Sequence, residues 1–458
     1  MSDFDISYST SSWILSSYLT SGAVMTPIAA KLSKIYGKKN VLFVLLGLYI
    51  VGTLSAGFST SMLSLTAARI IQGLGLAIFP VAFSIIQNLF PKEKLAIGQG
   101  VIIALFSSGS VIGLVAGGYV IDNLGWRVIF FVLTPFPILM IIFIHKRIKV
   151  EQEDTYSALL IELDALPDKK YKIQKVWKSF QFIDVRGTVV LALLITSFLI
   201  VLTYLKGTMH QESDMIILSF FSILCISSFI LFIAFEKKTK FPTIPTSIFK
   251  DKILLPVNLS LMITGLVTLM IYHMIPILIR SPVPLGFDGD AIKVVEVQLP
   301  FMIVLFIVST LSGFIVSRLG NIKPTIVGSI MGVLGFFGVL FFHGTEDSIK
   351  IGLIIVGSGI SLVQVGGFNI ITSKTPRKFS EISVGVTSLL FIIGMAIGPA
   401  VSGLILQNFT EVIDGIGAFP SLQAYSMIFF IAALISILPM ALILIVSKKL
   451  NSERISQN

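Results

Sequence analysis

Residues 12–30 read SWILSSYLTSGAVMTPIAA, residues 31–40 read KLSKIYGKKN, and residues 41–60 read VLFVLLGLYIVGTLSAGFST. A helix crosses the hydrocarbon core of a bilayer with about 20 mostly apolar residues. Two runs of that length therefore flank a short connector that holds four lysines, Lys31, Lys34, Lys38 and Lys39. The pattern of long apolar run, basic turn and long apolar run predicts a pair of membrane-spanning helices. Alternating strands of a barrel do not fit, because the runs are continuously apolar.

The same alternation continues to the end of the chain. Spans are predicted near 12–30, 41–60, 63–90, 96–121, 127–145, 187–205, 215–235, 255–279, 297–317, 324–343, 350–371, 382–406 and 424–447, thirteen in all. Composition agrees. Only 13% of the 458 residues are charged and 55% are hydrophobic, with a mean hydropathy of +0.94. A soluble globular chain carries about a quarter charged residues, so a water-soluble enzyme is excluded. Disorder is excluded too, since it needs low hydrophobicity and high charge. The single Cys225 rules out a disulfide framework and a paired-cysteine metal site, and four scattered histidines form no zinc-spacing cluster.

The net charge of +10 suggests nucleic acid until the charges are placed. With the 31–40 connector assigned to the cytoplasm and sides alternating from there, cytoplasmic segments hold 28 of the 34 Lys and Arg, and outer segments hold five. One missed or invented span would scramble that asymmetry, which is the rule for cytoplasmic loops of membrane proteins. The C-terminus is then cytoplasmic and the N-terminus external. Residues 1–12, MSDFDISYSTSS, have neither the basic nor the apolar region of a signal peptide.

Two motifs recur at nearly one spacing. Lys34-Ile35-Tyr36-Gly37 is echoed by Ser317-Arg318-Leu319-Gly320, an offset of 320 − 37 = 283. Gly109-x3-Gly113-x3-Gly117 is echoed by Gly394-x3-Gly398-Pro399, with 398 − 113 = 285. The agreement suggests a duplicated helical bundle, a common transporter design.

With these motifs the sequence resembles the major facilitator superfamily, and within it the fourteen-span drug:proton antiporter branch of multidrug efflux permeases. Trp13-Ile14-Leu15-x2-Tyr18-Leu19 resembles that branch's second span, and Ala30 to Lys39 its loop motif, including Gly37, Lys38 and Lys39. Arg69-x2-Gln72-Gly73-x-Gly75 matches the fourth-span motif and is the most specific match. Gly109-x3-Gly113-x3-Gly117-Gly118, followed by Trp126-Arg127 and Phe130, resembles the fifth-span antiporter motif. Phe182-x-Asp184-x2-Gly187 resembles the start of an additional central helix pair. The loop motif departs from the family at Lys34 and Ile35, where an Asp and an Arg are usual. Leu114 stands where the family has a proline. The chain also begins where the family's first loop would lie, so a first span, with the acidic residue some members carry there, is expected to be missing.

The resemblance implies an all-α polytopic membrane protein of two bundles. Its expected parts are an amino-terminal bundle over 1–150, a cytoplasmic linker over 151–185, two extra central helices over 186–236, a cytoplasmic loop over 237–254, a six-helix bundle over 255–447, and a tail over 448–458. It implies a secondary active exporter of hydrophobic or amphipathic small molecules, driven by a proton gradient without a cofactor. It is expected to sit in the plasma membrane as a monomer, contacting its substrate and the lipid but no nucleic acid. The alternatives are an uptake or metabolite permease of the same fold, and a non-transporting or truncated membrane protein. No phosphate-binding loop is present, which disfavours an ATP-driven pump.

Arg69 is the one clear cation within a span, and intramembrane charges default to function. It is expected, with Gln72, to bind substrate or to tune proton coupling. The spans hold no Asp or Glu in their interiors, so His273 is the intramembrane titratable candidate. Gly37, Lys38, Lys39, Gly73, Gly109, Gly113, Gly117, Gly118, Gly398 and Pro399 are the expected gating positions. The 109/113/117 stripe is expected to let helices approach closely and to meet the opposite half. Tyr18, Tyr272, Gln364, Phe368, Asn369 and Met395 are candidates for lining a mostly apolar cavity. No metal site is expected. The stretch from Tyr156 in the linker is read as a short amphipathic helix without catalytic function.

Overall fold

The computed structural model of the chain describes residues 8–91, 94–147, 184–204, 212–239, 242, 250–375, 377–413 and 417–455. The linker, including the helix expected from Tyr156, lies outside them. Helices account for nearly every described element. In the amino half they are α1 (Tyr8–Tyr36), α2 (Lys38–Gly57), α3 (Met62–Leu74), α4 (Ile78–Leu89), α5 (Leu95–Leu124), α6 (Trp126–Leu133) and α7 (Pro135–Arg147). The central pair is α8 (Val185–Tyr204) and α9 (Glu212–Lys238). The carboxyl half holds α10 (Leu254–Arg280), α11 (Ala291–Leu319), α12 (Ile322–Phe341), α13 (Glu346–Lys374), α14 (Arg377–Asn408) and α15 (Leu422–Ile455). A small hairpin of β1 (Thr410–Ile413) and β2 (Gly417–Pro420) caps one end, pairing antiparallel with Thr410 opposite Pro420.

These helices make thirteen rods that coincide with the thirteen predicted spans, because α3 and α4 continue through the 3-10 turn Gly75–Ala77, and α6 continues into α7. Among the described residues, eleven rods are long and apolar enough to cross a membrane. The other two are α1, rich in Ser and Thr, and α5, whose described apolar run is Leu95–Phe106. This is an all-α membrane protein.

The turn glycines explain how rods reverse so abruptly. Gly37 joins α1 to α2 with φ 83°, and Gly320 joins α11 to α12 with φ 79°. A side chain at either position would be strained in that left-handed region. The two halves therefore repeat in geometry where they repeat in sequence. Both turns lie at the end of the molecule carrying Lys31, Lys38, Lys39, Arg318, Lys323 and Lys374, here termed the basic face.

The largest apolar core runs through both halves and the central pair. It joins Leu19 and Ala23 of α1, Phe83 of α4, Val190, Leu191 and Leu199 of α8, Leu261 of α10, Phe368 of α13 and Leu389 of α14. α8 packs on α1 and on α14 together, so the central pair covers the line along which the halves meet. A second core holds the carboxyl-half helices together around Met270, Met274, Phe336, Tyr425 and Phe429. Polar groups at helix starts are capped: Asp290 accepts from the Lys293 amide (2.8 Å) and Asp184 from the Gly187 amide (2.8 Å). Such caps satisfy amides that a helix start leaves without partners.

Candidate transport site

Arg69 lies on α3, half-buried against α1. Its Nε donates to the Ile14 carbonyl (3.2 Å), its Nη1 donates to Gln72 Oε1 (2.5 Å), and the guanidinium lies 4.2 Å from the centre of the Tyr18 ring. Gln72 Nε2 in turn donates to Thr53 Oγ1 on α2 (2.9 Å), which donates to the Tyr49 carbonyl (2.6 Å). The guanidinium is thus held by neutral partners from α1 and α3, and its network extends to α2. The glycines of the same motif make the contact possible. A Cβ on Gly73 would overlap the Tyr18 carbonyl, and one on Gly75 would come within 2.7 Å of Tyr49 Cβ. The spacing Arg69-x2-Gln72-Gly73-x-Gly75 sets the fork on one side and the close approach beside it.

The halves meet through a polar bridge. Gln99 of α5, fully buried, donates through Nε2 to Thr372 Oγ1 (3.0 Å) and accepts through Oε1 from Asn369 Nδ2 (3.0 Å), both on α13. One residue along, Gly100 backs onto α11: a Cβ there would lie 2.9 Å from the Ser309 carbonyl and 3.0 Å from Gly313 Cα. Gly313 reciprocates against the Ala96 carbonyl and Ile97 Cα. An unpaired buried amide costs on the order of 1–3 kcal/mol, so the bridge specifies this contact.

Above the bridge, away from the basic face, lies a layer of rings from four helices. Phe79 and Phe83 of α4, Phe106 of α5 and Phe368 of α13 have centroids 4.8–6.0 Å apart, and Phe391 of α14 follows at 6.4 Å from Phe368. Such separations suit tilted and edge-to-face pairs. Phe83 and Phe368 are buried, Phe79 is half-buried, and Phe106 is 45% exposed. The layer has a sealed underside and an open edge.

The remaining predicted residues fall into distinct places. His273 of α10 is half-buried and its Nδ1 is hydrogen-bonded to Ser402 Oγ of α14 (2.9 Å), whose hydroxyl also donates to the Pro399 carbonyl (3.1 Å). The Tyr272 carbonyl accepts from Gln298 Nε2 (3.0 Å). Tyr18, Tyr272 and Gln364 are half-buried, whereas Phe368, Asn369 and Met395 are buried between helices. Lys39 Nζ donates to the His145 carbonyl at the end of α7 (3.1 Å), and Lys38 is buried beside it.

The glycine stripes depart from expectation. Gly109 and Gly113 have open space where a side chain would stand, and Gly117 has Ile129 Cδ1 at 3.8 Å. The expected close approach to the opposite half occurs instead at Gly100, more than two turns earlier, where no repeated spacing marks it. The side-chain environment of Gly118 is outside the described positions. Gly394 and Gly398 are tightly packed, but against α10 of their own half: a Cβ at either would overlap the carbonyl of Met262 or Leu266. Sequence reasoning also missed Gln99, Gly313, Phe79, Phe83, Phe106 and Phe391. It placed Asp184 in the central-pair motif but did not foresee that it and Glu236 are buried, each 6% exposed at the basic face. Lys31, one residue beyond the apolar run of α1, feels both. Burial pushes its ammonium below the usual lysine range, and Asp184 and Glu236 partly oppose that.

The profile of the Major Facilitator Superfamily matches residues 1–292. The chain belongs to this family. It is 26% identical over 385 residues to the multidrug transporter protein MdtP of Bacillus subtilis (strain 168), covering 82% of this chain and 64% of that protein. It is 26% identical over 407 residues to multidrug resistance protein 3 of the same organism, covering 86% and 72%. It is 23% identical over 404 residues to the tetracenomycin C resistance and export protein of Streptomyces glaucescens, covering 86% and 69%. The chain thus spans about two thirds of the length of these relatives. The crystal structure of the human organic anion transporter MFSD10 (TETRAN) superposes with a TM-score of 0.60 over 94% of this chain and 83% of that one, at 13% identity. That likeness concerns the fold. Membership places the chain among transporters, not enzymes.

Proposed function

We propose that the chain is a proton-driven exporter of hydrophobic and amphipathic small molecules that works by alternating access. The observation that carries the reading is the asymmetric seam. At the basic face α5 is joined to α11 and α13 through Gly100, Gly313 and the Gln99–Asn369–Thr372 bridge. Further along α5 no described residue covers Gly109 or Gly113, and Leu105 and Ile112 are more than 60% exposed. A seam closed at one end by reversible hydrogen bonds suits bundles that rock about a midplane site. In this reading the basic face is cytoplasmic, the protein is a multi-pass monomer of the plasma membrane, and the conformation opens outward. The relatives' printed roles in multidrug and tetracenomycin resistance support export. Arg69 with Gln72 tunes the coupling, and His273 is the titratable group in a span interior.

The test is export by purified protein in liposomes under an imposed proton gradient. Movement of a lipophilic fluorescent compound should follow the gradient and stop when an ionophore collapses it. In a Cys225→Ser background, Gln99→Cys with Thr372→Cys should arrest export when bridged by a short bifunctional thiol reagent. Cleaving the bridge should restore it. Gradient-independent leakage of the compound, or full export by the bridged protein, would end the proposal.

A further inference from the structure

The exporter reading leaves the chemistry of the cargo open, and the ring layer narrows it. Phe79 and Phe106 offer their rings at the open edge of the seam, backed by buried Phe83 and Phe368, with Phe79–Phe106 centroids 6.0 Å apart. Flat aromatic molecules extend such a layer with edge-to-face or offset contacts. No Asp or Glu occurs within any of the thirteen apolar runs, and Arg69 is the one Lys or Arg away from their ends, Arg127 and Lys350 being first residues of theirs. Among the described residues Arg69 makes no ion pair. Its partners are the Ile14 carbonyl, the Gln72 amide oxygen and the face of Tyr18. Among the described residues no carboxylate pairs with its positive charge, and Tyr18's ring face, one attractive perch for a cation, is already taken.

We infer that the cargo, on the export reading above, is planar, aromatic, and neutral or anionic, and that lipophilic cations are disfavoured. Phe79 lies ten residues from Arg69 along the α3–α4 rod, about 15 Å at the helical rise. One unit charge at ~15 Å in an effective dielectric of ~20 changes occupancy roughly sixfold. Between an anion and a cation of the same ring system the expected ratio is then of the order of thirtyfold, with the neutral form between them.

The probes are three derivatives of one planar ring system that differ only in an anionic, neutral or quaternary-ammonium substituent. Binding to purified protein in nanodiscs is measured by ring fluorescence, independently of any gradient, and export is measured separately in liposomes. Tightest binding by the anion and weakest by the cation supports the inference, including when no probe is exported; that last result would sink the export reading alone. Cation binding equal to or tighter than the anion's overturns it, whatever is exported. Phe106→Ala should weaken all three probes. Phe106→Glu, compared with the neutral Phe106→Gln so that any folding cost is read separately by thermal denaturation, should reverse the order in favour of the cation. An unchanged order in Phe106→Glu would also overturn it.

Discussion

The two glycine stripes have the same spacing and opposite fates. Gly394 and Gly398 on α14 let α10 in until its backbone fills the place of a side chain, at the carbonyls of Met262 and Leu266. From the other side a Cβ on Gly265 of α10 would come within 2.5 Å of the Phe391 carbonyl of α14. A Cβ on Gly109 or Gly113 of α5 would meet no described residue within 4 Å. A repeated glycine is permission for a neighbour to approach, and the neighbour is supplied by the rest of the fold. Along the 283-residue repeat α1 pairs with α11, α2 with α12, α3–α4 with α13 and α5 with α14. The filler of the α14 stripe, α10, has no counterpart among the described amino-half helices. On α5 the useful glycine is Gly100, and it serves the opposite half.

Substitutions separate the stripes most sharply. Gly394→Val should abolish recovery of folded protein, because neither the α10 carbonyl nor the α14 backbone can yield without opening that seam. Gly113→Ala should be harmless or stabilising by up to ~1 kcal/mol, since alanine is the better helix former and has space. Thermal denaturation of purified protein by intrinsic fluorescence decides it. Damage from Gly113→Ala as large as from Gly394→Val would mean that the α5 stripe is packed after all.

The second contrast is between the polar bridge and its apolar surroundings. Gln99→Leu leaves the Asn369 amide and the Thr372 hydroxyl buried without their partner, and should cost about 1–3 kcal/mol in the closed seam. Gln99→Glu should cost more, for it buries a charge against an amide and a hydroxyl. A thiol placed at Ser309 should label faster in Gln99→Leu than in the parent, since the loss falls on the joined state. Equal labelling with lowered melting temperature would show the bridge to be scaffold and not a gate.

Why the rods were legible and the seam was not follows from what each signal requires. Thirteen apolar runs and a lopsided lysine distribution are collective, and no single residue decides them. Gly37 and Gly320 announced their turns because each sits between two runs with no other room to reverse. Gln99 and Asn369 look like ordinary polar residues in spans until the helices are set side by side. With 36 phenylalanines in the chain, nothing marks Phe79, Phe83 and Phe106 as neighbours. The burial of Asp184 and Glu236 is not legible because they lie at helix ends, where sequence alone suggests solvent, and the docking of α8 and α9 is what buries them.

That buried acid pair sets the smallest expected effect. Lys31 has its ammonium held below the usual lysine range by burial, with Asp184 and Glu236 pulling the other way. A lysine whose folded value lies below its unfolded value binds fewer protons folded than unfolded in the window between them. Stability then rises with pH through that window, from the depressed value up to about 10.5. The charged ammonium is thus a modest liability below it. Lys31→Met should flatten the alkaline rise in melting temperature and raise stability modestly at neutral pH, because the burial cost it removes outweighs the pull of the two carboxylates that it gives up. Asp184→Asn in the same background should raise stability further, because the amide oxygen still caps Gly187 while a buried negative charge left without its cation is gone. A double variant no more stable than Lys31→Met alone would show that the three groups do not act as one cluster, and that α8 is held on α1 by its apolar face.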